Sequence, residues 1–317
     1  MNEILISAVI PNYNHAKLLP RSVGSFLSQT VPPLEIIVVD DASTDNSLEV
    51  LNELAAKHSI IRIIRNEKNL GVNASVTRGL EQTRGNYFIT LAADDEVRSG
   101  LIEQATGMLR EHPEAGFFSG IVEIRCTGTG LNWTSGTGMP NHECYLSPSD
   151  MVSLGRRGKL VVSGPCAVFK KSALIDAGGW VLDVRWYSDW FALCAVGFRH
   201  GMCHSPKVLA NFYLFPGSYF NATARNYAER RATMAKVLDL LASRRYAEVG
   251  PRIRRSGYLG YFGWSMFRVV LSNPKHWNAF TIGFAAQLAK RTAEIIGRKF
   301  FPNWLAKACL RIFYGRR

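Results

Sequence analysis

Two apolar runs in the first third of the chain each end in adjacent aspartates. The first is Leu34-Glu35-Ile36-Ile37-Val38-Val39-Asp40-Asp41 and the second is Tyr87-Phe88-Ile89-Thr90-Leu91-Ala92-Ala93-Asp94-Asp95. Runs of this length, rich in Ile and Val, read as strands buried on both faces of a parallel sheet. Carboxylates cannot follow such a strand into the core without a large desolvation cost, so both acidic pairs are expected at carboxyl ends of strands. In open α/β sheets that edge is where ligands bind. Four carboxylates brought to one crevice repel one another unless a cation or several hydrogen-bond donors join them.

Around these runs the pattern alternates. Strand signals at 5–10, 35–39, 60–64, 87–91 and 117–124 are separated by helical patterns at 18–28, after Asn46, at 72–83 and at 101–111. Asn46, with Glu49 three residues on, predicts a capping box. A βαβ series of this kind predicts an α/β fold, a Rossmann-like, mainly parallel sheet with helices on both faces. Residues 126–147, rich in Gly, Thr, Ser and Asn, are expected to form a long surface loop near the site. Gly178-Gly179-Trp180 breaks the chain before a helix expected over 188–196, and a polar, Arg-rich helix is expected between 222 and 243. The runs 258–271 and 277–289 are apolar, but each has only about 14 residues, short of the ~20 that a membrane-spanning helix needs. They predict two in-plane or hairpin helices.

At 317 residues, with 47% apolar side chains, the chain can bury a full core and make one large domain with an appendage. Its net charge of +13 is uneven: residues 221–317 hold nineteen Lys and Arg against four Asp and Glu, whereas residues 1–220 hold nineteen against twenty-one. The asymmetry predicts an anionic partner for the last third alone. There, Arg252, Arg254 and Arg255 precede Tyr258-Leu259-Gly260-Tyr261-Phe262-Gly263-Trp264, and Trp304, Leu305, Ala308 and Ile312 share a helical face with Lys307 and Arg311 displaced from it. Basic residues beside an apolar face are what an interfacial helix presents to anionic headgroups. Nucleic acid is not expected as a partner, because no recognised module accompanies the charge. Six scattered cysteines without a C-x-x-C pair, and an opening Met1-Asn2-Glu3-Ile4-Leu5 without a basic n-region, point to a reducing cytosol. None of the seven histidines stands in a zinc spacing.

Four segments occur in a telling order: Ala8-Val9-Ile10-Pro11-Asn12-Tyr13-Asn14, Val39-Asp40-Asp41-Ala42-Ser43-Thr44-Asp45, Asn69-Leu70-Gly71-Val72-Asn73 and Ala93-Asp94-Asp95. Together they resemble the family 2 glycosyltransferases, inverting enzymes with the nucleotide-diphospho-sugar-binding GT-A fold, over roughly residues 4–220. The resemblance implies a nucleotide-sugar donor and a divalent cofactor, Mg2+ or Mn2+. Pro11 would turn the chain so that Tyr13 stacks on the base, and Asp41 would accept a hydrogen bond from the pyrimidine N3–H. Of the acidic pair, Asp94 would contact the ribose and Asp95 the metal that bridges the diphosphate; oxygen ligands suit these hard ions. Many relatives carry a further aspartate at the place of Ala92. The segment Gly178 to Phe191 resembles the acceptor-side motif, in which Asp189 matches the general base and Asp183 is the weaker candidate. Between 206 and 218, Tyr213 and Phe215 stand where the family usually has Arg and His, which leaves Arg185, Arg225 or His204 as candidates to contact the diphosphate.

The expectation is therefore a catalytic domain over 1–220 and a basic helical tail over 221–317 that holds it on the inner face of a cell membrane. Its donor would be a UDP-sugar or dTDP-sugar, since both pyrimidines offer the same N3–H. A hydroxyl of a lipid-linked glycan used in surface polysaccharide assembly would be the acceptor, because attachment raises the effective concentration of a membrane-confined substrate. Two rival expectations are a polyprenyl-phosphate glycosyltransferase and a non-catalytic sugar-nucleotide-binding scaffold. The sequence carries no signal for the sugar, the linkage or the oligomeric state.

Overall fold

The computed structural model describes residues 3–300 apart from 128, 129, 131, 137 and 216–225, and for 294–300 the backbone alone. Four parallel strands, β1 (Ile6–Asn12), β2 (Glu35–Asp40), β3 (Ile61–Arg65) and β4 (Tyr87–Thr90), lie in the order β3-β2-β1-β4. Every residue of β2 is buried, as its unbroken apolar run requires. Beyond β4 the order becomes β9-β6-β10-β5. There β6 (Phe117–Cys126) and the long β10 (Met202–Leu214) run parallel, while β9 (Val168–Lys170) and β5 (Glu96–Val97) are antiparallel insertions.

Helices α1 (Leu19–Leu27), α2 (Ser47–Lys57), α3 (Val72–Glu81) and α4 (Leu101–Glu111) follow the first four strands or their extensions. Alternate side chains of one strand serve opposite faces. Ala8 and Ile10 join Leu19, Phe26, Leu101 and Leu109 in one cluster. Val9 points the other way, so close to α3 that a Cβ at Gly79 would come within 2.5 Å of its Cγ1. The expected α/β sheet with helices on both faces is thus present.

Two local expectations are corrected. Residues 126–147 are not simply a loop: β7 (Asn132–Thr134) extends β6 and β8 (Cys144–Leu146) extends β10 as antiparallel edges. Ladder hydrogen bonds to strands already in place override a turn-rich composition. At the start of α2 the Asn46 side chain makes no cap. Asp45, one residue earlier, accepts from Ser47 N (3.0 Å) and Ser47 Oγ (2.5 Å), and its other oxygen accepts from Ala16 N (3.0 Å). A residue that ties two segments together displaces the local box.

The second half adds α5 (Pro148–Arg156), α6 (Lys171–Asp176) and α7 (Ser188–His200), then α8 (Tyr227–Ala242), α9 (Val249–Ser256), α10 (Gly263–Ser272) and α11 (Ile282–Phe300). The two apolar runs do form a hairpin, but each begins in a 3-10 segment, Tyr258–Phe262 and Pro274–Ala279. The later helices do not stand apart. Phe117, Phe169, Phe191 and Val196 share one apolar cluster with Met234, Leu238, Tyr246, Ile253, Tyr258, Met266, Val270 and Phe284. Polar ties reinforce it, with Lys290 Nζ donating to Gly158 O at 2.7 Å. Gly257, at φ 69°, lies so near α11 that a Cβ there would fall 2.1 Å from the carbonyl carbon of Gly283.

Burying one Leu, Ile, Met or Phe is worth about 1.5–3 kcal/mol, and a whole domain is stable by only about 5–15 kcal/mol. A chain ending at residue 252 loses Ile253, Tyr258, Leu259, Met266, Val269, Val270 and Phe284 from this core. It is expected to lose its cooperative thermal transition in circular dichroism; a melt within a few degrees of the full chain would show the cluster to be dispensable.

Candidate active site

Because β1, β2 and β4 are parallel neighbours, their carboxyl ends share one edge of the sheet, and Pro11, Tyr13, Asp41, Asp94 and Asp95 all fall along it. Asp40 is fully buried and structural: its carboxylate accepts from Asn12 Nδ2 (2.9 Å), Ser43 N (3.1 Å) and Ser43 Oγ (2.5 Å). The turn after β1 is knitted to the turn after β2, since Asn14 N donates to Ser43 Oγ (3.0 Å) and Asn14 Oδ1 accepts from Thr44 N (2.7 Å). Asn14 and Ala42 take φ of 57° and 60°, uncommon for residues with a Cβ. This network leaves Tyr13 43% exposed at the end of β1.

Asp41 is buried, and its carboxylate is already engaged. One oxygen accepts from Asn66 Nδ2 (2.6 Å) and Leu70 N (2.8 Å), the other from Gly71 N (2.8 Å). It therefore shapes the Asn69-Leu70-Gly71 turn that leads into α3. From the first turn of α3, Asn73 reaches the other half of the chain: its Nδ2 donates to Arg185 O (2.6 Å) and its Oδ1 accepts from Trp180 Nε1 (3.1 Å).

Asp94 is half-buried and Asp95 is 2% exposed. Burial raises the Asp95 carboxyl well above the ordinary carboxylate range and the Asp94 charge raises it further; Tyr213 N, donating to Asp95 Oδ1 at 2.8 Å, and Arg21 oppose the rise. Burial likewise raises Asp94, against the pull of His15 and Arg21. The pair is thus two adjacent acids that the fold leaves short of positive charge. No group of three or more His, Cys, Asp or Glu that could hold a metal ion occurs among the described residues. An ion here would rest on these two carboxylates and draw its remaining oxygens from ligand and water, a combination that suits Mg2+ or Mn2+.

Arg21 escaped the sequence reading. It projects from α1 to donate to the Asp94 carbonyl, stands 3.9 Å above the centroid of the Tyr213 ring and lies 3.9 Å from Glu96. Arg125 approaches the same ring at 5.9 Å, and Tyr213 Oη donates to Glu96 at 2.9 Å. A cation therefore stands beside Tyr213, supplied by a different element from the strand that carries the tyrosine. The other diphosphate candidates fare differently. His204 is buried with its Nε2 at 2.9 Å from Pro140 O, and burial lowers its pKa; it is structural. Arg185 is paired with Glu229, and Arg225 lies outside the described residues.

Asp189 is the second residue of α7. It has open surface, yet enough protein surrounds it that burial raises its carboxyl, opposed by the Trp190 N–H that donates to Oδ1 at 2.6 Å. A Cβ on Gly164 would sit 3.0 Å from Asp189 Oδ2, so the glycine keeps that side of the carboxylate clear. Tyr187 and Trp190, which flank Asp189 in sequence, pack on Phe262 with ring centroids 4.9 and 4.7 Å apart. Asp183, the weaker candidate for the base, is exposed and paired with Lys236 at 3.3 Å.

Replacing Asp41 with Ala removes the acceptor of Leu70 N–H and one of two acceptors from Gly71 N–H and Asn66 Nδ2, which keep Asn69 Oδ1 and Ser75 Oγ. Charge-assisted bonds of this kind support a loss of about 2–4 kcal/mol, read as a lower midpoint in urea unfolding. An unchanged midpoint would mean that the carboxylate does not hold the 66–71 turn.

Comparison with known proteins agrees with this arrangement. Residues 7–178, more than half of the chain, match the family described as Glycosyl transferase family 2. A cholesterol galactosyltransferase of Borreliella burgdorferi is 38% identical over 98 residues, covering 31% of this chain and 27% of that protein. The chain spans less than half the length of the first curated relatives it matches. Among solved structures, S. aureus TarS 1–349 in complex with UDP-GlcNAc superposes with a TM-score of 0.63 at 15% identity, covering 92% of this chain and 90% of that one. The mannosyltransferase PcManGT from Pyrobaculum calidifontis, in complex with GDP-Man and Mn2+, gives 0.62 at 18% identity, covering 99% and 86%. At such identities the likeness is one of fold. With strand-end acids, turn network and family match in agreement, the chain belongs to glycosyl transferase family 2.

Proposed function

We propose that this protein transfers a sugar, with inversion, from a UDP-sugar or dTDP-sugar to a hydroxyl of a lipid-linked glycan used in surface polysaccharide assembly. The observation that carries the reading is the Asp94-Asp95 pair, two adjacent carboxylates both raised by burial, Asp95 further by the charge of Asp94, on the strand-end edge that also bears Tyr13 and Asp41. Tyr13 offers an exposed ring for a base, and Asp94 lies where a ribose would follow. Asp95, with Asp94 beside it, is the residue to hold Mg2+ or Mn2+; when bound, the ion offsets charge on the departing diphosphate. The complexes of TarS with UDP-GlcNAc and of PcManGT with Mn2+ support this choice of ligands.

Asp189 is the general base. It takes the proton of the acceptor hydroxyl as the oxygen attacks the anomeric carbon from the face opposite the diphosphate, so one carboxylate suffices and no covalent intermediate forms. Its raised carboxyl brings its affinity for the proton nearer the working pH. The basic tail would keep the catalytic domain peripheral on the inner membrane face. No helix of the described residues is long and apolar enough to cross a membrane.

Asp189→Asn should lower transfer by about 10²–10⁴-fold while nucleotide-sugar binding, read by calorimetry, is retained. Because burial raises the wild-type carboxyl, activity should fall with acidification along a limb lying above the ordinary value of 3.8. Full turnover in this variant would exclude a hydroxyl acceptor and favour transfer to a lipid phosphate, which needs no base.

For Asp95 the sign runs the other way from a stabilising ion pair. A carboxyl raised on folding costs stability when ionised, and that cost fades as pH falls through its folded value. Asp95→Asn should therefore melt at or above the wild-type temperature without metal at neutral pH, and should no longer be stabilised by Mn2+. A variant that still gains stability from Mn2+ would place the metal elsewhere.

A further inference from the structure

We propose that the junction of α10 and α11, residues 264–282, is a fixed docking face for a bilayer with anionic headgroups. This deepens the membrane-surface reading above and rests on it. The apolar side chains of this stretch divide into two sets. Met266, Val269, Val270 and Ala279 are buried in the core shared with the catalytic half. Trp264, Leu271, Trp277, Phe280 and Ile282 face outward, 50%, 52%, 57%, 48% and 92% exposed. Trp264 and Phe280 are linked through half-buried Phe267, with ring centroids 5.3 and 5.6 Å apart. Trp277 Nε1 donates to Leu271 O at 3.4 Å and Trp264 Nε1 to Thr292 Oγ1 at 3.0 Å. Each indole has thus met its polar requirement on the protein and turns apolar surface outward, as interfacial tryptophans do. An apolar belt of this kind on a soluble surface marks an interaction site.

Charge selects the occupant. Residues 249–293 contain no Asp or Glu and seven Lys or Arg. Arg268 and Lys275 are exposed within the belt itself. A second copy of the chain would bring like charges together across a two-fold contact; an anionic bilayer satisfies the aromatic belt and the cations at once. Because the inner face of the same hairpin is core, this is a rigid platform and not a loose amphipathic helix. It also adjoins Phe262, whose ring meets Tyr187 and Trp190 on either side of Asp189, so docking would hold the acceptor end of the site near headgroup depth.

The test uses the full chain and sedimentation with phosphatidylcholine vesicles, with and without phosphatidylglycerol. Wild type should bind the anionic vesicles preferentially and less tightly in high salt. The triple variant Trp277→Ser, Phe280→Ser, Ile282→Ser and the double variant Arg268→Ser, Lys275→Ser should each keep the wild-type melting temperature and lose binding on the order of tenfold or more. Unchanged vesicle binding by the folded triple variant overturns the proposal, as does wild type that does not bind anionic vesicles. Self-association in sedimentation equilibrium that the triple variant abolishes, without vesicle binding by wild type, would give the face to a second copy and equally overturn it. Nucleotide-sugar hydrolysis is measured in parallel: vesicle binding without hydrolysis would refute the catalytic reading and leave the docking face standing.

Discussion

A carboxylate at the end of a buried strand must find donors, and the sheet edge is organised around how far each of its acids does so. Asp40 is served by Asn12 and Ser43, and Asp41 by Asn66 and two backbone N–H groups. Both are thereby turned into structural elements, Asp40 fixing the turns after β1 and β2 and Asp41 the 66–71 turn after β3. Among the described residues Asp95 accepts the Tyr213 amide and feels the Arg21 charge, yet its neighbour adds repulsion where burial has already made charge costly. The unmet demand is localised at one pair, and this is what makes that pair a site for a ligand that brings positive charge.

The same logic explains why parts of this arrangement could be read from the chain and others could not. Unbroken Ile/Val runs announce parallel strands, and an acid at the end of such a run has only one place to go, so the mainly parallel sheet and the placing of Asp41 and Asp95 at strand ends follow from local pattern. Arg21 carries no such mark. An arginine in the first turn of an amphipathic helix is ordinary, and its role arises only when α1, β6 and β10 bring it over Tyr213. The motif resemblance implies a base contact for Asp41; that its carboxylate also serves the protein's own amides is visible only once the 66–71 turn is folded against it. Apolar letters in the last third could not tell core from exposed belt, because Val270 and Leu271 look alike in sequence and face opposite ways.

Besides the shared core, two contacts between the halves bear on the site. Asn73 ties the turn shaped by Asp41 to the segment before α7, and Phe262 braces the aromatic residues that flank Asp189. The acids on the strand ends and the candidate base are therefore held in one framework whose parts come from both ends of the chain. The later helices contribute to that framework as core, whatever surface they also present.

Gly164 shows how little separates such a site from silence. The clear space at Asp189 Oδ2 exists because one position in a short turn lacks a side chain. A methyl there would come 3.0 Å from Oδ2, so that the carboxylate would have to shift by a few tenths of an ångström, while the strand-end acids and the turn around Asp41 stayed untouched. Position 164 thus bears on Asp189 although it carries no functional group of its own.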